Sequence, residues 1–298
     1  SACTPLSLGA SLYVPATHAQ LYSVLQGERI EGLRSVIICT EDAIRGDELP
    51  EAVRSIKRAL AQLGPGGPRR FIRPRNLDVL QDILDAPSAA LLDGVVLPKA
   101  SATQVQNTLD LLRAFPSFWV MPILETKEVF DHGAMREFAA MLSHPSVRPH
   151  ILAARIGGND LLRCLGLRRD RSTTIYSTPI GTAIAQLATT FLPAGISLSA
   201  PVFDDLENSE LLASEIRTDL AHGLSGKSAV HPRQLGVIEA GYRVSAEELA
   251  MAEAVLAPTA SAVFPMSGTM CETAVHAPWA YRIRERARLF GVSDGSSA

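Results

Sequence analysis

The chain has 298 residues, of which 47% are hydrophobic and 20% are charged, and its formal net charge is −3. This composition is that of an ordinary soluble globular protein, and neither the net charge nor any block of like charge favours nucleic-acid binding. The length is enough to bury a large core, either as one barrel-sized domain or as two smaller domains.

The cysteines and the amino-terminal residues bear on the cellular compartment. Four cysteines are widely scattered without a CxxC pair: Cys3, Cys39, Cys164 and Cys271. This spacing predicts reduced thiols in a cytoplasmic protein. The first fifteen residues, "SACTPLSLGASLYVP", lack a basic region followed by a long apolar run, so no signal peptide is expected.

Eight short apolar runs alternate with helix-like stretches along the chain. They are nearly continuous in apolar residues, as is typical of parallel strands that are covered on both faces. In chain order the predicted strands lie at 11–15, 35–42, 70–75, 94–99, 119–126, 151–158, 196–203 and 227–232.

The stretches between the strands have the spacing of amphipathic helices. In "DELPEAVRSIKRALAQLG", Leu49, Val53 and Ile56 recur at helical intervals. In "NSELLASEIRTDLAHGLSG", Asn208 or Ser209 is the predicted N-cap. Glu215 of the same helix is predicted to form an ion pair on the exposed face.

One helix lies in a segment that resembles a membrane span. Residues 172–203 contain no Asp, Glu, Lys or Arg, but Pro179, Pro193 and Gly195 interrupt them. A span needs about 20 mostly apolar residues in one run. We therefore predict a buried helix, "GTAIAQLATTFL", followed by a buried strand, and no contact with a membrane.

This alternation predicts an α/β fold, a (β/α)8 TIM barrel with extra C-terminal helices. The other candidate, an open doubly wound sheet, lacks a GxGxxG turn after its first strand. We predict a barrel domain over residues 1–244. Residues 245–298 are expected to form a helical extension that packs on the barrel or on a neighbouring subunit.

Polar residues gather where the predicted strands end, and in a barrel all these ends lie on one face. They are Glu41, Asp42, Arg73, Arg75, Lys99, Glu125, Asp160, Asp204 and Asp205. Each one alone is readily explained as a solvated charge at the end of a buried strand. Together, the two isolated carboxylates Glu125 and Asp160 on adjacent strands suit a divalent cation, and the basic groups beside them suit an anionic substrate. Gly157 and Gly158 leave room for a ligand or metal ion beside Asp160.

Seven stretches resemble, in chain order, the successive motifs of the citrate lyase β-subunit-like family of the HpcH/HpaI aldolase superfamily. They are "SLYVPAT", "ICTEDAI", "FIRPR", "VVLPK", "PILET", "GGNDL" and "GKSAVHPRQL". "FPMSGTMCET" resembles the C-terminal segment of the family. In detail, "YVPATH" and "ICTEDAI" are most similar to the carbon–carbon lyase branch associated with tellurium-resistance clusters.

The resemblance implies a Mg2+-dependent carbon–carbon lyase that works through a metal-stabilised enolate. It implies that Glu125 and Asp160 hold Mg2+ and that Arg73 binds the carboxylate or carbonyl of the substrate. The expected substrate is a small anionic hydroxy acid or a hydroxyacyl-CoA thioester, and a homo-oligomer is expected. The remaining predicted substrate-binding residues are Arg75, Lys99, Gly157, Gly158, Glu41 and Asp42.

The sequence also departs from the family pattern. Cys39 stands where many relatives have Asp, Arg75 adds a positive charge where Asn is usual, and the residues after Lys99 lack a nearby Glu. Glu272 stands where several relatives carry an Asp that acts across a subunit interface. These departures leave the use of a CoA thioester open.

Two alternatives to a lyase stay open at this point. One is a condensing or thioester-hydrolysing enzyme on the same scaffold. The other is a non-catalytic ligand-binding or assembly barrel of a stress-response or biosynthetic system. The identity of the substrate, the direction of the reaction, the oligomer number and the roles of Cys39, His18, His231 and Glu272 are not determined by the sequence.

Overall fold

The predicted barrel is present in the computed structural model, which describes residues 3–293. Its parallel strands run in the sheet order β7-β6-β5-β4-β3-β2-β1-β8, and a bridge between Ala200 and Lys227 joins the two edges. The strands are β1 Ala10–Pro15, β2 Ser35–Cys39, β3 Arg69–Arg73, β4 Gly94–Leu97, β5 Trp119–Leu124, β6 Ala154–Ile156, β7 Leu198–Ser199 and β8 Lys227–Ala229.

Helices follow the strands. They are α1 Leu21–Gln26, α2 Leu49–Ala61, α3 Leu77–Leu84, α4 Ala102–Leu111, α5 His132–Leu142, α6 Gly158–Cys164, α7 Pro179–Phe191, α8 Ser209–Ala221 and α9 Arg233–Gly241. Short 3-10 turns supplement them at Leu6–Leu8, Gly46–Glu48, Pro87–Leu91, Leu112–Ala114, Lys127–Phe130, Arg148–His150 and Ile175–Ser177. The charge-free segment forms α7, as predicted. No helix in the described part of the chain is long and apolar enough to cross a membrane.

The barrel interior is filled with side chains of the strands and of the segments that precede β1 and β6. A buried cluster there comprises Leu8, Ile37, Phe71, Val96, Met121, Ile123, Leu152 and Ala153. Such packing makes the barrel a solid core rather than a pore. The open space that remains lies at the carboxyl ends of the strands, where they meet the loops that carry the predicted site residues.

The sixth and seventh strands are shorter than predicted. The apolar runs predict strands at 151–158 and 196–203, whereas β6 and β7 have three and two residues. The helix that follows β6 begins at Gly158, so Asp160 lies in the first turn of α6 rather than before a helix. Burial therefore extends beyond the hydrogen-bonded ladder, and an apolar run marks the buried segment better than the strand ends.

The eighth helix begins as predicted but buries a different face. Asn208 is its N-cap, and the Asn208 side chain accepts a hydrogen bond from Leu211 N–H at 3.0 Å. The prediction that Glu215 lies on the exposed face is wrong, because Glu215 is 0% exposed. It forms ion pairs with Lys227 at 3.0 Å and Arg169 at 2.9 Å. The buried Lys227 ammonium, at the start of β8, requires this carboxylate inside.

The chain divides into two compact units between Leu235 and Gly236. The domain boundary predicted from the sequence is 244/245. The second unit contains α10 Ala246–Leu256 and α11 Thr273–Phe290, with short strands β9 Val244–Ser245, β10 Val263–Met266, β11 Thr269–Glu272 and β12 Val292–Ser293. Its core comprises Val244, Ala252, Val255, Cys271, Ala280 and Ile283. Both long helices were expected, but the β10–β11 hairpin was not. Residues 1–2 and 294–298 of the predicted domains lie outside the described residues.

Candidate active site

A cavity of about 470 Å3 opens at the carboxyl ends of the strands. Its lining includes Tyr13, Cys39, Asp42, Arg73, Glu125, Arg155, Gly157, Gly158, Asn159 and Asp160. These residues come from strands or loops that are far apart in the sequence, and the barrel brings them together as the sequence predicts. Active sites of this fold are formed at this end of the barrel.

Glu125 is the first residue after β5, and its side chain is held in a defined position. It is 3% exposed, and its Oε1 accepts a hydrogen bond from the Lys99 backbone N–H at 2.7 Å. Lys99 has a φ of 47°, which lies in the left-handed region that side-chain-bearing residues rarely adopt. On the other side, Arg73 Nη2 lies 3.7 Å from Glu125 Oε2. The Glu125 carboxyl group is therefore oriented by backbone and side-chain donors together.

Asp160 supplies a second carboxyl group beside Glu125. Burial raises the pKa of Glu125 to about 7 against the opposing effect of Arg73. The negative charge of the neighbouring Asp160 and a hydrogen bond shared between the two carboxyl groups, which favours the protonated form of Glu125, raise it further. Asp160 also forms an ion pair with Arg163, which lies one helical turn further along α6, with 2.7 Å between Asp160 Oδ1 and Arg163 Nη2. Two adjoining carboxyl groups that are costly to ionise together are what a bound divalent cation would stabilise in the charged form.

The donor set fits a hard cation with a small number of protein ligands. Among residues 3–293 no group of three or more His, Cys, Asp or Glu side chains is arranged to hold a metal ion. Mg2+ is commonly held by one or two carboxylates, and water and substrate oxygens complete its shell. Glu125 and Asp160 provide such a pair at the cavity wall.

The two glycines after β6 make room for protein side chains as well as lining the cavity. A Cβ atom on Gly157 would lie 2.4 Å from Glu125 Cβ and 2.7 Å from Glu125 Oε2. A Cβ atom on Gly158 would lie 2.6 Å from Ile175 Cδ1 and 2.9 Å from Pro201 Cβ. The space at Gly157 is thus occupied by Glu125 itself.

Arg73 lies at the centre of the charged groups. Its Nη2 atom is 2.6 Å from Glu41 Oε2 and 3.5 Å from Asp42 Oδ2. Its Nε atom is buried and has no hydrogen-bond partner among residues 3–293. Its Cζ atom lies 5.8 Å from the centroid of the Tyr13 ring. Arg73 is therefore held from one side by carboxylates while its side chain lines the cavity.

Three of the predicted substrate-binding side chains contact other groups of the protein and do not line the cavity. Arg75 donates to the backbone oxygens of Thr40, Glu41 and Ile44, so it fixes the loop after β2. The Lys99 ammonium group is paired with Glu41. Neither Arg75, Lys99 nor Glu41 belongs to the described lining of the cavity, whereas Asp42 does. Arg75 instead holds the loop after β2 in place. Glu41 contacts Arg73, and Lys99 contacts Glu41.

Tyr13 and Arg155 are among the lining residues that were not predicted from the sequence. Arg155 is 2% exposed and is the charged residue in the middle of the apolar run "ILAARIGG". A lone charge inside a buried strand is the signal that could have identified it, because such a charge needs a partner.

His18 and His231 line a second cavity, of about 680 Å3. In each, Nδ1 accepts a hydrogen bond from a nearby backbone N–H, at 3.1 Å, as part of a local turn. Neither histidine belongs to the described lining of the cavity that contains Glu125.

The sequence matches the family described as "C-C bond lyase of the TIM-barrel fold" over residues 2–292. The chain belongs to this family. It is also 28% identical over 254 residues to a citrate lyase subunit beta-like protein of Mycobacterium tuberculosis, covering 80% of this chain and 83% of that protein. The predicted resemblance to citrate lyase β-like proteins is confirmed. The narrower resemblance to the tellurium-resistance branch stays a prediction.

A second relative carries a different activity. A (3S)-malyl-CoA thioesterase of Cereibacter sphaeroides is 25% identical over 244 residues, which cover 81% of this chain and 79% of the relative.

Solved structures share the fold. CitE of M. tuberculosis, in complex with magnesium, acetoacetate and coenzyme A, has a TM-score of 0.70 at 24% identity, covering 95% of this chain and 99% of that one. A citrate lyase of Burkholderia xenovorans has a TM-score of 0.76 at 17% identity, covering 99% and 97%. The predicted TIM barrel is confirmed.

Proposed function

We propose that this protein is a Mg2+-dependent lyase that cleaves a carbon–carbon bond of a small anionic hydroxy acid or of a hydroxyacyl-CoA thioester. The observation that supports it most strongly is the pair of adjoining carboxyl groups, Glu125 and Asp160, beside Arg73 on the wall of one cavity. Membership of the carbon–carbon bond lyase family supports the reaction type.

The proposed metal ion is Mg2+, held by Glu125 and Asp160. Structures of CitE from M. tuberculosis contain magnesium together with acetoacetate, pyruvate or acetate, which supports this choice. Bound Mg2+ supplies a Lewis acid that stabilises the negative charge of an enolate oxygen. The Lys99 backbone N–H contributes by holding Glu125 Oε1, which fixes the orientation of the carboxyl group that would bind the ion.

Arg73 is the proposed substrate-binding residue. Its planar guanidinium group matches the two oxygens of a carboxylate. Glu41 and Asp42 hold it in place.

In the cleavage reaction the bond between the hydroxyl-bearing carbon and the carbon next to the thioester breaks. The hydroxyl group loses its proton and becomes a carbonyl, the bonding electrons form the enolate, and the enolate takes up a proton.

Thioester hydrolysis is the second candidate, because relatives at 25% identity are (3S)-malyl-CoA thioesterases. Both reactions need a bound anionic substrate and stabilised negative charge on a thioester oxygen, so the same residues suit both. A condensing enzyme would run the first reaction in reverse.

The products distinguish these candidates. Cleavage of (3S)-malyl-CoA yields glyoxylate and acetyl-CoA, whereas hydrolysis yields malate and free coenzyme A.

We would first titrate Mg2+ into metal-free protein by calorimetry, and then assay both product pairs. Glu125→Gln and Asp160→Asn are expected to lose metal binding and turnover. The exposed Glu128→Gln is the matched control and is expected to retain both.

The outcomes separate enzyme from scaffold. Mg2+ affinity that is equal in Glu125→Gln and the parent protein would overturn the metal site. Mg2+ binding without turnover of any thioester or hydroxy acid would favour the non-catalytic, ligand-binding barrel instead.

We further propose a cytoplasmic homo-oligomer. The second unit has strongly exposed apolar side chains, Val263, Met270, Val275 and Tyr281, all more than 50% exposed. Such residues are frequent at subunit interfaces. Sedimentation analysis of the full chain would test this, and a monomer at micromolar concentration would contradict it.

A further inference from the structure

Arg155 is a buried cation on the cavity wall that has no acidic partner among residues 3–293. It projects from β6, is 2% exposed and lines the same cavity as Arg73 and Glu125. Its Nη2 atom donates to Ser228 Oγ at 2.9 Å, and its Nη1 atom lies 3.5 Å from Ser11 Oγ. No carboxylate of the described residues is paired with its guanidinium group, and its Nε atom is buried without a hydrogen-bond partner in this part of the chain.

Other arginines with little exposure show how this protein compensates such a charge. The buried Arg70 guanidinium group donates to the backbone oxygens of Leu25 and Gly66, whereas two further arginines face carboxylates. Arg169 has Glu215 at 2.9 Å, and Arg73 has Glu41 at 2.6 Å. A buried charge without a counter-ion is costly, and two neutral hydroxyl groups replace only part of its lost hydration. The missing counter-charge at Arg155 can come from the cavity, because Arg155 lines it.

The positions of the two cavity arginines limit what could bridge them. The Cζ atoms of Arg73 and Arg155 lie 5.8 and 6.0 Å from the centroid of the same Tyr13 ring. A small molecule with an anionic group at each end can therefore approach both from within one cavity of about 470 Å3.

We propose that Arg155 binds a second anionic group of the substrate and so makes the site selective for small 2-hydroxy or 2-oxo acids that carry a further carboxylate or phosphate. This inference rests on the proposed function, in which Arg73 binds the first anionic group. Arg155 touches substrate but takes no part in holding the metal ion.

A purely structural role for Arg155 predicts something different. The Ser35 hydroxyl donates to the Leu8 carbonyl and lies 2.8 Å from Ser11 Oγ, so a chain of hydroxyl groups leads from Arg155 into the barrel wall. If Arg155 only joined these strands, its substitution would change stability but would not distinguish one ligand from another.

The test compares ligands that differ by one anionic group. Malate against lactate tests a second carboxylate, and 3-phosphoglycerate against glycerate tests a phosphate. Affinities are measured by calorimetry with and without Mg2+, for the parent, Arg155→Met and Arg155→Lys. We expect the parent to bind at least one dianion about 10- to 100-fold more tightly than its monoanionic partner. Arg155→Met is expected to remove that preference while monoanion affinity is unchanged, and Arg155→Lys is expected to restore part of it.

The result identifies which proposal fails. Unchanged dianion preference in Arg155→Met, or equal affinity of the parent for both members of both pairs, overturns the role of Arg155 even when Mg2+ binds. An Arg155-dependent preference without Mg2+ binding overturns the metal site and retains the role of Arg155. If Arg155→Met does not fold, Arg155→Lys and the parent's own preference still decide.

Discussion

The backbone N–H of Lys99 donates to Glu125 Oε1 at 2.7 Å from a residue whose φ is 47°. A left-handed conformation costs about 1–2 kcal/mol for a residue with a Cβ atom. The loop after β4 therefore keeps an unfavourable backbone conformation where an N–H group meets the buried carboxyl group of the candidate metal site.

Replacement of Lys99 by glycine and by alanine measures this conformation. Both variants lose the ion pair with Glu41, so their difference isolates the backbone. We expect Lys99→Gly to be more stable than Lys99→Ala by about 1 kcal/mol, because glycine adopts positive φ without strain. Urea unfolding of both variants measures the difference. Equal stability would show that the left-handed turn is not retained.

Gly157→Ala is expected to disturb the metal site directly. Its Cβ atom would lie 2.4 Å from Glu125 Cβ, so the Glu125 side chain must move. We expect the Mg2+ affinity measured by calorimetry to fall at least about tenfold, since a small displacement of a ligand removes much of its contribution.

Gly158→Ala is the matched comparison for that variant. Its Cβ atom meets Ile175 and Pro201 rather than Glu125. We expect a loss of stability of about 1–3 kcal/mol from overpacking, with Mg2+ affinity retained. Equal Mg2+ affinity in both variants and the parent would contradict the assignment of Glu125.

The sequence predicted the barrel and the meeting of Glu125 and Asp160 for one physical reason. Buried parallel strands appear as apolar runs, and the carboxyl ends of parallel barrel strands share one face. It could not predict the partners of Arg75, because three backbone carbonyl groups of a loop satisfy it. Nor could it predict the burial of Glu215, since that depends on Lys227 reaching it from β8.

The ion pair between Arg171 and Asp205 provides a test of the loop after β7. Hydrogen bonds from Arg171 hold the pKa of Asp205 at about 2. Because the folded-state pKa lies below the ordinary value, this pair stabilises the fold above about pH 4, and the contribution is lost as pH falls toward 2. Carboxyl NMR titration should show the pKa of Asp205 rising in Arg171→Ala. Asp170, whose pKa is lowered by Ser172, is the control and should not change.

The buried ion network under β8 is expected to be the most sensitive charged cluster for stability. Lys227 is 0% exposed and lies 3.0 Å from Glu215 and 2.8 Å from Asp219. Removing one partner of a buried ion pair costs about 3–5 kcal/mol, because the remaining charge is left uncompensated. We expect a loss of that size in Lys227→Met. Lys57→Met, which removes an ion pair with the well-exposed Asp82, should cost less than about 1 kcal/mol.

The pH dependence of Lys227→Met follows from Asp219. Burial already raises the pKa of Asp219 above its ordinary value, and Lys227 opposes that rise. Without Lys227 the pKa of Asp219 rises further, so the folded state keeps a proton that the unfolded state has released. Stability must then fall as pH rises from about 4 toward neutrality. Urea unfolding of the variant and the parent at pH 5 and pH 8 measures this, and a difference between them that does not grow with pH would show that Lys227 does not compensate Asp219.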